Sequence, residues 1–233
     1  MINILTPHFF FKYYKLALKL LVIAFAPTLT VALYQALIAS PIDYQQGELV
    51  RIMYVHVPSA WLSMSIYLFM ALCSLANIIW ANRLAYILAA SSAPIGASFA
   101  LITLITGSIW GYPAWGTWWV WDARLTSMLV LFLFYVSYII LFNQNPHRAE
   151  KPCSIISLIG AINVPIVKFS VDIWASLHQG ASIITFSGPK IHTSMLKPLF
   201  LMLASFCMLF AIVLIMRAAT LIAKLKYRPL NEA

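Results

Sequence analysis

The chain alternates long apolar runs with short polar breaks, and the runs have the length of membrane crossings. About 20 apolar helical residues span the hydrocarbon core. Six stretches fit that length, the fifth only weakly: 19–39, 59–80, 84–110, 125–143, 154–170 and 198–222. They predict an all-α integral membrane protein, a six-transmembrane-helix bundle forming one domain over 1–233. The third run is long and holds Ser91, Ser92, Pro94 and Gly96, which are features of a tilted or kinked helix. The fifth is short and carries Asn163 and Pro165 near its end. It should stop early or open into a cavity, because irregular backbone at membrane depth needs protein or water around it. The run 20–39 follows Lys12, Lys15 and Lys19 as a signal peptide would. It is too long for a typical signal core and is read as the first membrane helix, not as a cleaved segment.

Composition agrees. Apolar residues make up 63% and charged residues 9%, where a soluble domain carries roughly a quarter charged. The net charge of +9 would suit nucleic acid if it lay on a polar domain. Instead the basic residues punctuate the apolar runs as topology signals, so lipid is the expected partner and nucleic acid is not. One set of connections holds Lys12, Lys15, Lys19, Arg83, Arg148, Lys151, Arg217, Lys224, Lys226 and Arg228; the other holds only Arg51, Arg124, Lys168, Lys190 and Lys197. Both termini are therefore expected on the cytoplasmic or matrix side, which leaves segments 40–58, 111–124 and 171–197 outside. The inner connections are too short for a nucleotide-binding domain and carry no phosphate-binding loop, so any ATP-driven step belongs to a partner. Cys73, Cys153 and Cys207 lack CxxC spacing and read as buried packing residues.

The outer face is where chemistry concentrates. Five of the eight tryptophans fall in Trp110-Gly111-Tyr112-Pro113-Ala114-Trp115-Gly116-Thr117-Trp118-Trp119-Val120-Trp121-Asp122. A membrane-interface belt would scatter them over all the helix ends. Trp115, Trp118 and Trp119 have i, i+3, i+4 spacing, which predicts a short amphipathic helix on the outer surface with Pro113 near its start. Such an aromatic surface suits a large flat ligand.

His8 and His147 lie in inner segments and read as solvated surface residues. His56, His178 and His192 lie outside. His56 precedes Pro58, which is placed to start the second helix. A lone interfacial histidine is more often a hydrogen-bonded structural residue. Two that flank a tryptophan surface suggest axial ligands to haem iron. Residue types alone leave two readings open, a haem site and an aromatic belt with incidental histidines. Asp122 fits a helix cap as well as a site residue. Arg124 fits a lipid-facing snorkel as well as a partner for a propionate. Asp43, Glu48 and Arg51 read as a solvated loop face. No nucleophile–base pair, paired carboxylates or H-E-x-x-H motif stands out, so a bond-breaking enzyme is not expected.

The stretch 107–127, Gly-Ser-Ile-Trp-Gly-Tyr-Pro-Ala-Trp-Gly-Thr-Trp-Trp-Val-Trp-Asp-Ala-Arg-Leu-Thr-Ser, closely resembles the tryptophan-rich WWD signature of cytochrome c maturation haem-handling proteins. Length and six runs resemble the small CcmC, or haem exporter C, branch of that superfamily. The resemblance covers essentially the whole chain, including Val-His56-Val-Pro-Ser-Ala-Trp61 and Leu-His178-Gln-Gly. It implies a b-type haem held transiently on the outer face of a bacterial inner membrane, or a mitochondrial one. His56 and His178 would be the axial ligands, and Trp110, Trp115, Trp118, Trp119, Trp121, Asp122 and Arg124 would bind the cofactor. It also implies delivery of haem to the chaperone CcmE beside the ABC transporter subunits CcmA and CcmB and the helper CcmD. His192 matches no family histidine, and Asp172-Ile173-Trp174 stands where the family often has a double tryptophan.

Two other classes compete. A permease-type subunit moving haem or another small aromatic substrate would place broken helices near the midplane, where Asn163, Pro165 and the 91–96 stretch are weak candidates. A haem-bearing electron carrier would place its ligands inside the bundle.

Overall fold

The computed structural model describes residues 7–174, 176–178, 180, 183, 188 and 191–227. Gln179, Lys190 and Arg228 lie outside the described residues, as do the side chains of His8 and Lys226. The described chain is helical. α1 runs Pro7–Tyr34 and closes in a π-helical turn, Gln35–Ala39. A single 3-10 turn, Glu48–Ile52, leads into α2, Met53–Trp80. α3 is Arg83–Trp115, α4 Ala123–Gln144, α5 Glu150–Ala161, α6 Asn163–Ile173 and α7 Thr193–Tyr227. With α5 and α6 taken as one broken crossing, six helical segments among the described residues are long and apolar enough to cross a membrane.

Local chemistry sets several boundaries. Ala81 and Asn82 alone turn the chain between α2 and α3, and the Asn82 side chain caps α3 by accepting from the Ala85 N–H at 3.0 Å. The fifth crossing breaks at Ile162, as its polar residues foretell. The Asn163 amide then donates to the Ser127 carbonyl of α4 at 2.8 Å, so the break is anchored to a neighbouring helix.

The core lies between α2, α3, α4 and α5 and is built around tyrosines. Tyr67, Tyr135 and Tyr138 are fully buried. The Tyr135 hydroxyl donates to the Ser63 carbonyl at 2.6 Å and its ring meets Tyr67 edge-on, which ties α4 to α2. A second cluster at the end of α1 joins Ala32 and Ala36 to Met53, Tyr54, Leu199 and Met202. A third joins Phe10, Leu84, Ile87, Ala218 and Ile222, which places the start of α1 and the end of α7 together at the opposite end of the bundle.

Three sequence expectations need correction. α2 begins before Pro58, so His56 stands on a helix rather than ahead of one. Burial of Met53 and Tyr54 against α1 and α7 holds that extra turn despite the proline. The tryptophan segment forms no separate amphipathic helix. α3 continues through Pro113 to Trp115, and Gly116, with φ 70°, ends it in the left-handed conformation, its N–H returning to the Tyr112 carbonyl at 2.9 Å. Trp115 is thus helical while Trp118 and Trp119 lie beyond the helix end. Lastly, Cys207 is exposed on α7 while Cys73 and Cys153 are buried. A lipid-facing helix surface accepts a small apolar side chain without burial in protein.

Candidate functional site

At the end of the bundle away from both described chain ends, four helices and one connection enclose a cavity of about 160 Å³. α2 contributes His56 and Trp61, α3 Thr103 and Gly107, α4 Arg124 and Met128, and α6 Lys168. The connection between α6 and α7 contributes His178. Two histidines 122 positions apart in sequence therefore face one space.

Each ring is held by its Nδ1 atom. His56 Nδ1 lies 3.0 Å from Thr106 Oγ1. That hydroxyl donates its proton to the Ile102 carbonyl at 2.7 Å, so it can only accept from the ring, and His56 carries its hydrogen on Nδ1. Gly107 makes the position possible, because a Cβ there would lie 3.0 Å from His56 Cε1. His178 Nδ1 lies 3.0 Å from Asp122 Oδ2, a carboxylate that accepts, so it too carries hydrogen on Nδ1. Among the described residues both rings make their side-chain hydrogen bonds through Nδ1, and no side chain engages Nε2. Both therefore present the nitrogen lone pair that a metal takes.

Asp122 is the hub of the second histidine. Oδ1 caps α4 by accepting from the Leu125 N–H at 2.8 Å, and Oδ2 accepts from Ser176 Oγ at 2.6 Å as well as from the His178 ring. Burial works to raise its carboxyl, but the Leu125 N–H, the Ser176 hydroxyl and the His178 ring outweigh burial and hold it below the usual carboxylate range. For His178 burial dominates and pushes the ring below the ordinary imidazole range, against the opposing pull of Asp122.

A family model described as CcmC, heme exporter protein C, matches residues 1–232. Heme exporter protein C of Bradyrhizobium diazoefficiens is 48% identical over 184 residues, covering 78% of this chain and 70% of that protein. Heme exporter protein C of Escherichia coli is 43% identical over 210 residues, covering 89% and 84%. A cytochrome c biosynthesis ccmC-like mitochondrial protein of Marchantia polymorpha is 44% identical over 215 residues, covering 92% of each chain. The chain belongs to the CcmC family. The family and its relatives carry names for haem export and cytochrome c biosynthesis, and six helical segments among the described residues are long and apolar enough to cross a membrane.

In this CcmC chain none of the signature tryptophans lines the cavity, and two of them pack against its histidines. Trp110 meets the His56 ring edge-on at 5.6 Å and is fixed by donating from Nε1 to Gln46 Oε1 at 2.9 Å. Trp115 packs against the His178 ring at 4.9 Å. Trp118 stacks on Tyr112 at 4.3 Å, nearly parallel, and both are exposed. Trp119 and Trp121 meet edge-on, with Trp121 77% exposed. Arg124 lines the cavity while its guanidinium donates to Ser170 Oγ and to the Lys168 carbonyl, both at 3.3 Å. His192 is elsewhere, hydrogen-bonded to Ser194 Oγ at the start of α7. Asp43 and Arg51 order their own surroundings. Asp43 caps the turn at Gln45 and Gln46, and Arg51 pairs with Glu48 and donates to Ser40 and the Ala36 carbonyl.

Sequence reasoning missed Thr106, Ser176 and the Lys168 contribution, and gave Trp61 no place in the site. Thr106 and Ser176 carry no motif of their own. Their part is visible only once the helices bring them behind a histidine or a carboxylate.

Proposed function

We propose that this chain holds haem, as cargo, on the outer membrane face between His56 and His178 and promotes its delivery to the chaperone CcmE, beside CcmA, CcmB and CcmD. The observation that carries the reading is the pair of histidines facing one cavity, each with Nδ1 hydrogen-bonded and Nε2 available. The donor set fits a porphyrin iron, which takes four ligands from its macrocycle and two from the protein. A bare ion would need a fuller protein cage, and no group of three or more His, Cys, Asp or Glu side chains gathers among the described residues. The cavity is smaller than the roughly 300–1,000 Å³ of a pocket that encloses a drug-sized ligand. It therefore suits the central part of a large planar cargo that is meant to leave again.

The protein's own contribution is binding and orientation, so we assign it no enzymatic step and read the bound haem as b-type and transient. The excess of basic residues at the end opposite the cavity supports an outward-facing site with both termini cytoplasmic, in a bacterial inner membrane or its mitochondrial counterpart. The permease alternative keeps the broken crossing at Ile162 as its candidate feature, with Asn163 anchoring that break to α4 and Lys168 of α6 lining the cavity.

The test is spectroscopic. Purified protein loaded with haem should give a low-spin spectrum that His56→Ala or His178→Ala abolishes, together with haem transfer to CcmE. His192→Ala should leave both largely intact. Loss of the low-spin spectrum in His192→Ala but not in His178→Ala would falsify the ligand assignment.

A further inference from the structure

The two histidines are held from behind by acceptors of different strength. His56 donates to a neutral hydroxyl, Thr106 Oγ1, whose own proton is committed to the Ile102 carbonyl. His178 donates to the Asp122 carboxylate, which is 9% exposed and fixed in place by the Leu125 N–H and the Ser176 hydroxyl. A hydrogen bond to a charged acceptor is roughly twice as strong as one to a neutral group. It draws the Nδ1 hydrogen away from the ring and makes Nε2 a better donor to a metal.

We propose that Thr106 and Asp122 are positioning residues that make the two imidazoles unequal iron ligands. His178 is the stronger, His56 the weaker, and the His56 bond is the first to break when cargo leaves. The inference rests on the haem reading above and adds to it an order of release. Hydrogen bonding to the far nitrogen of a ligand ring is one of the levers a protein has on a haem iron, alongside ligand identity and burial. Here ligand identity is the same on both sides, so the difference lies in what stands behind each ring.

The experiment uses the full chain in lipid nanodiscs, loaded with haem, as wild type and as Asp122→Asn, Thr106→Val, Thr106→Ser and Ser176→Ala. Asparagine keeps the helix cap while removing the charge. The readouts are the midpoint potential, the rate at which carbon monoxide displaces an axial ligand from the reduced protein, and the iron–carbon stretching frequency of the adduct. Asp122→Asn should raise the midpoint potential, because a weaker donor stabilises ferric iron less, and should speed haem loss about 10- to 100-fold. Ser176→Ala leaves Oδ2 to the ring alone and should shift the potential downward, a direction that mere loosening of the fold does not produce. Thr106→Val should speed carbon monoxide binding with a smaller change in potential, and Thr106→Ser should behave as wild type. Carbon monoxide should displace His56, so the adduct's frequency should respond to Asp122→Asn and not to Thr106→Val. Equal shifts of potential in Asp122→Asn and Thr106→Val, or a frequency that follows Thr106, would overturn the inequality while leaving the haem reading standing. A wild-type protein that forms no low-spin complex would overturn the haem reading itself, and the order of release with it.

Discussion

Gly107 shows how little freedom the site has at the level of single atoms. A Cβ at this position would lie 3.0 Å from His56 Cε1, closer than almost any real Cβ contact. Gly107→Ala should therefore rotate the His56 ring away from Thr106. The expected outcome is a protein of near-normal yield that binds haem with a mixed or high-spin spectrum; an unchanged low-spin spectrum would show that the ring has room to give. Asp122 carries a second residue-scale expectation. Its folded-state carboxyl sits below the usual range, so the unfolded chain takes up the proton first. The stability supplied by the ionised form is complete above the ordinary carboxylate value of about 4 and is lost as pH falls through the lower folded value. Thermal melts of wild type and Asp122→Asn should hold a constant gap from pH 7 to about 5 and converge only on further acidification. A gap that closes between pH 7 and 6 would assign the effect to another group.

At the scale of elements, the end of α3 depends on the left-handed turn at Gly116. Alanine has space there but pays the strain of a positive φ, about 1–2 kcal/mol. Gly116→Ala should lower stability by that amount and weaken the near-ultraviolet dichroism contributed by the Tyr112–Trp118 stack. Unaltered aromatic dichroism would mean that the stack does not rely on the turn. The six crossings were legible because hydrophobic run length is a direct signal of membrane depth, and Asn163 marked the break because an amide at that depth must find a partner. The tryptophan helix was misread because i, i+3, i+4 spacing describes neighbours only while the helix lasts, and Gly116 stops it between Trp115 and Trp118. The same spacing argument could not see that residues before Pro58 are helical, since tertiary burial of Met53 and Tyr54 decides it. His56, His178, Asp122 and Arg124 could be singled out by residue type and resemblance. Thr106 and Ser176 could not, because a hydroxyl acquires its part only from what folds against it.

For the whole molecule, the packing of the start of α1 with the end of α7 puts both described chain ends on one side and the cavity on the other. Topology can be checked with single cysteines, because the native thiols are buried or lie on a lipid-facing helix and react poorly without a hydrated thiolate. Asn145→Cys, in the turn between α4 and α5, should resist a membrane-impermeant maleimide in intact cells, and Thr117→Cys, in the exposed segment after α3, should react. The reverse pattern would invert the proposed orientation.

The two histidines also differ in how much of the protein would have to move with them. His56 belongs to α2, whose buried face is joined to the tyrosine core, so displacing it means shifting a whole helix. His178 belongs to the connection after α6, tied to the bundle there by its ring, the Ser176 hydroxyl and contact with Trp115. Each of the two hydrogen bonds to the carboxylate is worth about 1.5–3 kcal/mol. One wall of the receptacle is thus set in a packed helix and the other, at His178, lies outside any helix, and the stronger grip is on the latter.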